Sequence, residues 1–345
     1  MYSFNRFYGD NLKKIIRHFD VLINRVQEGL RVVDEISRFH LENRDFELKL
    51  KEFRHILREP VSLKDADLLN CRDSINDFGF SVTTGMENSR KDIYSIARAS
   101  FKRVIESVRV MEELSKLDFI EPKLNLELIR QKLYQLEKKM LLNLIKPKLN
   151  NSIYPIIEID SNPQKISIVE REVGYAQLRV KNCSDRKVSE YIVKLKKKYP
   201  ELKIIINDRV DFALIHNLSG VHLGQDDISP LEARSILGDD KLIGLSTHNI
   251  DQVEEANTLP IDYIGFGPMF ETKTKDTGYS ERGTKLLKEV FKISKHPIVA
   301  IGGIDISNYK NVLENGAYSV AMISGISKIS NNKLLELLSS SKLNS

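Results

Sequence analysis

The sequence predicts two domains of different class: an all-α helical domain over residues 1–146, then an α/β domain, a (β/α)8 barrel, over residues 152–330. Three observations carry this. Glycine is unevenly placed: only Gly9, Gly29, Gly79 and Gly85 precede residue 150, and the other thirteen of the 17 lie beyond it. Helix interiors disfavour glycine, whereas strand–loop–helix units use it at their turns. The first half also holds an internal repeat at helical spacing. The second half holds eight short apolar runs, each followed by a helical stretch.

In the repeat, Arg25–Arg38 (RVQEGLRVVDEISR) matches Arg103–Lys116 (RVIESVRVMEELSK). Val26, Leu30 and Val33 in one copy, and Val104, Val108 and Met111 in the other, recur at steps of three and four, which is the spacing of one helix face. Each copy precedes another helical stretch, about 43–58 and 124–145. The expectation is two related helical hairpins packed face to face, with a polar connection at 70–90. The polar stretch Lys146-Pro147-Lys148-Leu149-Asn150-Asn151 ends the helical half.

The apolar runs are Tyr154–Ile159, Tyr175–Val180, Lys203–Ile206, Val221–Leu223, Leu242–Leu245, Tyr263–Phe266, Ile298–Ile301 and Ser319–Ile323. Parallel strands buried on both faces have this continuous apolar character. Eight such units in so short a stretch predict a compact TIM barrel, with residues 331–345 as a C-terminal helix and tail. An open doubly wound sheet is the alternative. Eight similar units and the lack of a Gly-x-Gly-x-x-Gly turn weigh against it.

Composition narrows the function classes. The apolar fraction is 41% and no run of 18 apolar residues occurs, so no membrane span is expected. Met1–Arg6 lacks the apolar stretch of a signal peptide. Cys71 and Cys183 are the only cysteines, which predicts a reducing, cytoplasmic setting without a disulfide framework. A net charge of +5 without a basic tract argues against nucleic acid as partner. Small-molecule substrates are expected, and a homo-oligomer is compatible.

Barrel active sites form at the C-terminal ends of the strands, and the unusual polar residues fall there. Gln177, Arg179 and Lys181 alternate along strand two and so share a face. An arginine fork chelates phosphate oxygens and a lysine adds a point charge. Taken alone, the pattern suits a rim salt bridge better. Asn207 and Asp208 follow strand three; His222, Gln225 and Asp227 follow strand four. Two carboxylates on adjacent strands can share one Mg²⁺, with substrate phosphate completing its oxygen ligands. Helix caps are the competing reading for Asp208 and Asp227. A hydrogen-bonded barrel residue is the simpler reading of His222. Strand five ends in Ser246-Thr247-His248, and strand six opens into Gly267–Lys275, rich in hydroxyls and lysine. Gly302-Gly303-Ile304 and Ile323-Ser324-Gly325 end strands seven and eight, where barrels often cradle a phosphate. Two phosphate sites result, which suits the coupling of two substrates.

Six ordered motifs give the barrel a close resemblance to the thiamine-phosphate synthase family. They are Gln177-Leu178-Arg179-x-Lys181, Ile206-Asn207-Asp208, Val221-His222-Leu223-Gly224-Gln225-x-Asp227, Gly244-x-Ser246-Thr247-His248, Thr272-x-Thr274-Lys275 and Ile301-Gly302-Gly303-Ile304. The resemblance implies that hydroxymethylpyrimidine diphosphate loses diphosphate while its methylene carbon is captured by the nitrogen of a thiazole phosphate. It implies Gln177, Arg179, Lys181, Asn207, Ser246 and Lys275 at the pyrimidine diphosphate, and Thr272, Thr274, Gly303, Ile323 and Ser324 at the thiazole phosphate. Asp208 and Asp227 would hold one Mg²⁺. No nucleophilic side chain is implied. Val180 and Asp226 stand where glutamate is common in the family, and Glu271 and Lys273 where proline is common. A thiazole tautomerase on the same barrel is the alternative. The joint presence of the diphosphate residues speaks against it.

Asn24-Arg25-x-x-Glu28-Gly29-Leu30-Arg31-Val32 resembles a helical domain found fused to such synthases. That resemblance implies phosphorylation of hydroxymethylpyrimidine phosphate, with ATP as the phosphate source. No glycine-rich phosphate loop precedes residue 150, so side chains such as Arg31, Arg72, Arg90 and Arg109 would hold the nucleotide. Asp34, Asp73, Asp77 or Glu113 would hold its metal. The bland alternatives are helical ion pairing for these charges and an oligomerisation role for the domain.

Overall fold

The structure, a computed structural model, describes residues 2–73, 89–118, 120–271 and 282–342. It divides into two compact units, Met1–Ile145 and Lys146–Ser345. Among the described residues no helix is long and apolar enough to cross a membrane.

The first unit contains α1 (Tyr2–Ile36), α2 (Arg44–Ile56), α3 (Asp65–Cys71), α4 (Ile93–Leu114) and α5 (Leu126–Ile145). The two repeat copies lie in α1 and α4, which pack on one another, and the hairpin partners are α2 and α5. Val26, Leu30, Val33, Val104, Val108 and Met111 are all fully buried, so the repeated apolar positions build this core. Local signals start the helices. Asn43 caps α2 by accepting from the Phe46 N–H, and Asp92 and Ser95 form a capping box on α4. Two features differ from the sequence expectation. A π-helical turn, Ser37–Leu41, follows α1 directly, and it ends at Glu42 in the left-handed region (φ 50°). The polar connection also begins with α3, which buries only Leu68.

Gly29 lies at a close approach of the two repeats. A Cβ there would lie 2.6 Å from Cγ2 of Val104 and 3.1 Å from the Ser100 carbonyl oxygen. Gly29→Val is therefore expected to force α1 from α4 and destabilise the unit by roughly 1–3 kcal/mol. Thermal unfolding of the variant tests this; an unchanged transition would contradict the close crossing.

The second unit is a closed parallel barrel in sequence order. Its strands are β1 (Ile153–Glu158), β2 (Tyr175–Arg179), β3 (Lys203–Asn207), β4 (Gly220–Leu223), β5 (Leu242–Thr247), β6 (Tyr263–Phe266), β7 (Ile298–Ala300) and β8 (Ser319–Met322). These match the apolar runs because both strand faces are buried here. Helices α6 (Pro163–Glu172), α7 (Asp185–Lys198), α8 (Val210–Ile215), α9 (Pro230–Leu237), α10 (Ile250–Ala256), α11 (Gly283–Ile293) and α12 (Tyr309–Glu314) follow strands one to seven. After β8 come a short turn, α13 (Ser324–Ser327), and α14 (Asn331–Ser339). Past residue 330 the described residues include the expected C-terminal helix. α14 packs on α6, and Leu334, Leu337 and Leu338 join the barrel core. Beyond it, the Ser341 carbonyl accepts hydrogen bonds from the backbone N–H and the hydroxyl of Ser152, just before β1.

Candidate active site

Because all eight strands are parallel, their C-terminal ends form one rim, and a cavity of about 460 Å³ opens there. Gln177 and Arg179 of β2, Asn207 and Asp208 at the end of β3, and Ser246 of β5 line it. So do Gly303 after β7, and Ile323 and Ser324 after β8. Strand register sets their heights. Glu158 pairs with Arg179, Asn207 with His222, His222 with Gly244, and Gly244 with Tyr263.

The polar groups are braced rather than loose. Arg179 Nη1 donates to Glu158 Oε1 at 2.6 Å, so a neighbouring strand fixes the fork. Asn207 accepts from the Val180 N–H at 3.0 Å and donates to Asp208 Oδ2 at 2.6 Å, which leaves one amide hydrogen for a ligand. Asp208 sits in the left-handed region (φ 66°), and its N–H donates to the His222 carbonyl at 2.8 Å. Asp227 Oδ2 accepts from the Gly224 N–H at 2.6 Å. The backbone of Asp208 is thus tied to β4, and the Asp227 carboxylate to Gly224, the residue that follows β4. Neither caps a helix: Arg209 stands at the N-cap of α8 with no side-chain cap bond, and Ser229 caps α9 with Glu232 in a capping box. The adjacent cation, Arg209, is held by Asp185 and Asp211 at 2.7 and 2.6 Å. Two hard-oxygen groups on adjacent strand ends suit a magnesium ion that keeps room for phosphate oxygens.

His222 has partners on both ring nitrogens: Nδ1 lies 3.1 Å from the Tyr263 hydroxyl and Nε2 lies 3.0 Å from Ser246 Oγ. The hydrogen-bonded reading of this histidine is the observed one. At the opposite wall, Gly302 and Gly303 have φ of 100° and 66° and lie under the loop after β6. A Cβ on Gly303 would lie 2.7 Å from the Glu271 carbonyl oxygen. Gly325 approaches Ile304 and Asp305, so the β7 and β8 loops meet where the phosphate cradle was expected.

A family model described as thiamine monophosphate synthase matches residues 161–326, and one described as the ThiD2 family matches residues 17–139. A thiamine-phosphate synthase of Synechocystis sp. is 35% identical over 327 residues, spanning 92% of this chain and 93% of that protein. The chain belongs to the thiamine-phosphate synthase family. A synthase of Persephonella marina is 49% identical over 161 residues, 46% of this chain and 76% of its own length. The solved thiamine phosphate pyrophosphorylase of Pyrococcus furiosus is 26% identical, covering 55% of this chain and 99% of its own, with a TM-score of 0.45.

Two expected site residues of this synthase stand apart from the cavity. Lys181 is exposed and does not line it, because β2 ends at Arg179 and the strand alternation ends with it. Asp227 does not line it either; it reaches the site only through its bond to Gly224, which does. Thr272, Thr274 and Lys275 lie outside the described residues, as does Asp77. His248, quoted in the strand-five motif without a role, lines the cavity, and the charged lining residues Asp305 and Lys328 were missed from sequence. His248 donates from Nδ1 to the Gly267 carbonyl oxygen at 2.6 Å. Asp305 and Lys328 line the wall near Ser324. The position of Lys328, four residues past Ser324, was the available signal.

Most of the N-terminal candidates are engaged by other protein groups. Arg31 pairs with Glu35 at 2.5 Å, and Arg109 pairs with Glu112 and Glu113 at 2.5 and 2.7 Å, each within one helix. Helical ion pairing therefore accounts for Arg31, Arg109 and Glu113. Arg72 grips the buried Asp20 through two bonds of 2.8 and 2.6 Å, and Asp73 pairs with Arg17. Arg90 is exposed and bonds the Ser89 carbonyl. Asp34 is buried under Arg54 at 3.2 Å, with Oδ1 lacking a hydrogen-bond partner among the described residues.

Proposed function

We propose that the barrel joins hydroxymethylpyrimidine diphosphate to a thiazole phosphate, releasing diphosphate and forming thiamine phosphate. One observation carries this reading: Gln177, Arg179, Asn207, Asp208, Ser246, Gly303, Ile323 and Ser324 all line one rim cavity. The diphosphate lies against Arg179, whose fork is held ready by Glu158. Gln177 and the remaining amide hydrogen of Asn207 orient the pyrimidine. Asp208 and Asp227 would hold Mg²⁺, which would supply positive charge to balance the departing diphosphate. Gly303 and Ser324 hold the thiazole phosphate, with Lys328 as a nearby cation. The walls exclude water from the pyrimidine methylene while the thiazole nitrogen approaches, so positioning replaces a general base. A carboxylated thiazole would lose CO₂ in the same event. A tautomerase needs no diphosphate site, so the placement of Arg179 and Asp208 favours the synthase. The free thiols of Cys71 and Cys183 suit the cytoplasm.

The direct test is incubation of the full chain with both phosphates and Mg²⁺. Thiamine phosphate and diphosphate should appear in equal amounts; neither product forming would overturn the reading. The helical domain we assign as the source of the pyrimidine diphosphate, from the monophosphate and ATP. In the full chain carrying Asp208→Ala, ATP and hydroxymethylpyrimidine phosphate should then yield accumulating diphosphate. If no diphosphate forms, the domain has a non-catalytic role.

A further inference from the structure

We propose that Tyr263 is a positioning residue: held as an acceptor by Tyr154, it donates to Nδ1 of His222 and thereby makes Ser246 Oγ a hydrogen-bond donor to the substrate. The observation is a chain of four polar groups running from the barrel interior to the cavity. The Tyr154 and Tyr263 hydroxyls are 2.8 Å apart, Tyr263 is 3.1 Å from His222 Nδ1, and His222 Nε2 is 3.0 Å from Ser246 Oγ. Ser246 lines the cavity, whereas both tyrosines are buried.

Hydrogen counting sets the direction of this chain. A phenol has one hydrogen to give. Among the described residues the Tyr154 hydroxyl has a single hydrogen-bond partner, the Tyr263 hydroxyl. Tyr154 must therefore donate to Tyr263. The Tyr263 hydrogen then goes to the next acceptor, Nδ1 of His222. That nitrogen carries its lone pair, so the neutral ring bears its proton on Nε2 and donates to Ser246. Ser246 Oγ accepts there, and its own hydrogen is left for a ligand in the cavity. The opposite direction would strand the Tyr154 hydrogen in the barrel core, at a cost of roughly 1–3 kcal/mol. Burial raises the pKa of both phenols, which keeps both hydrogens in place.

The strands are shaped for this chain. Gly244 lies in register between His222 and Tyr263. A Cβ on Gly244 would fall 2.5 Å from His222 Nδ1 and from the Tyr263 hydroxyl oxygen, and one on Gly265 would fall 2.8 Å from His222 Cε1. Without side chains at these positions, the two rings stack with centroids 5.4 Å apart and an interplanar angle of 28°. Gln225 Nε2 donates to the Ser246 carbonyl at 2.5 Å and steadies the far end.

The substrate part of this inference rests on Ser246 facing the pyrimidine diphosphate; the tautomer part does not. The test is long-range ¹H–¹⁵N NMR on the ligand-free full chain labelled at histidine, with the His222 signals assigned by their loss in His222→Asn. The neutral Nε2–H tautomer is expected. An Nδ1–H tautomer or an imidazolium in the wild-type chain would overturn the proposal without any variant having to fold. Tyr263→Phe should shift His222 away from a pure Nε2–H signature. It should also lower kcat by roughly tenfold, the loss of about one hydrogen bond, with a smaller change in KM. An unchanged tautomer and unchanged kcat in that variant would also overturn it. Tyr154→Phe leaves Nδ1 as the acceptor for Tyr263 and should keep the Nε2–H tautomer; a switch would refute the assigned direction. If Ser246→Ala turns over normally while the tautomer is as expected, the substrate reading of Ser246 fails and the hydrogen-bond chain stands.

Discussion

Asp208→Ala is expected to abolish Mg²⁺-dependent formation of thiamine phosphate, with a loss of at least roughly 100-fold in kcat. The reason lies in how few groups this site has for metal. Among the described residues there is no cluster of three or more histidine, cysteine or carboxylate side chains that could hold an ion. The proposed ion thus depends on Asp208, Asp227 and substrate oxygens, so removing one carboxylate removes half of the protein's charge at the metal. Asp208 is also the more constrained of the two, with its left-handed backbone, its N–H bonded to β4 and its carboxylate bonded to Asn207. Asp208→Asn keeps the shape and removes the charge. It should fold normally and remain inactive at Mg²⁺ concentrations that saturate the wild type. Full turnover of either variant would exclude Asp208 as a metal ligand.

Arg179→Ala should weaken use of the pyrimidine diphosphate by roughly 1.5–3 kcal/mol in kcat/KM, the range for charge-assisted hydrogen bonds. Steady-state kinetics with the thiazole phosphate saturating isolates the effect. Arg179→Lys should recover little, because one ammonium cannot serve Glu158 and a diphosphate together as a guanidinium can. Glu158→Gln supplies the complementary measurement. It should leave Arg179 in place but less well oriented, with a smaller loss than either arginine variant. Equal kcat/KM for wild type and Arg179→Ala would remove Arg179 from the diphosphate site.

The strands of the barrel were legible in the sequence because burial on both faces writes a plain apolar run, and the site was legible because its residues sit where those runs stop. Where the physical cause is not periodic, the sequence was silent. Lys181 continued the alternation of Gln177 and Arg179 on paper, but the strand ends at Arg179 and Asn182 already has a left-handed backbone (φ 51°). Asp208 and Asp227 could be paired from their strand ends, yet only the bonds to the His222 carbonyl and the Gly224 N–H show how each is held. The link from His222 to Tyr263 depends on an absent side chain at Gly244, which resembles any other strand glycine until register is known. In the helical half, the repeat foretold which faces would be buried. Its charged positions looked equally suited to binding ATP and to pairing along a helix, and the contacts of Arg31 and Arg109 are those of pairing.

The stretch that follows α14 also bears on how the barrel comes into being. A closed barrel has one seam where no crossover helix joins neighbouring strands, and here it lies between β1 and β8. Ser152 beside β1 is tied to Ser341, and Asn151 donates to the Leu338 carbonyl at 3.2 Å. The first strand of the ring is therefore clasped by residues made nearly two hundred positions later. During synthesis the ring cannot shut until β8 has left the ribosome, so one edge of β1 stays unpaired while the other strands are translated, and the clasp forms after that. The helical unit has no such dependence: its core residues are all present once α5 has emerged.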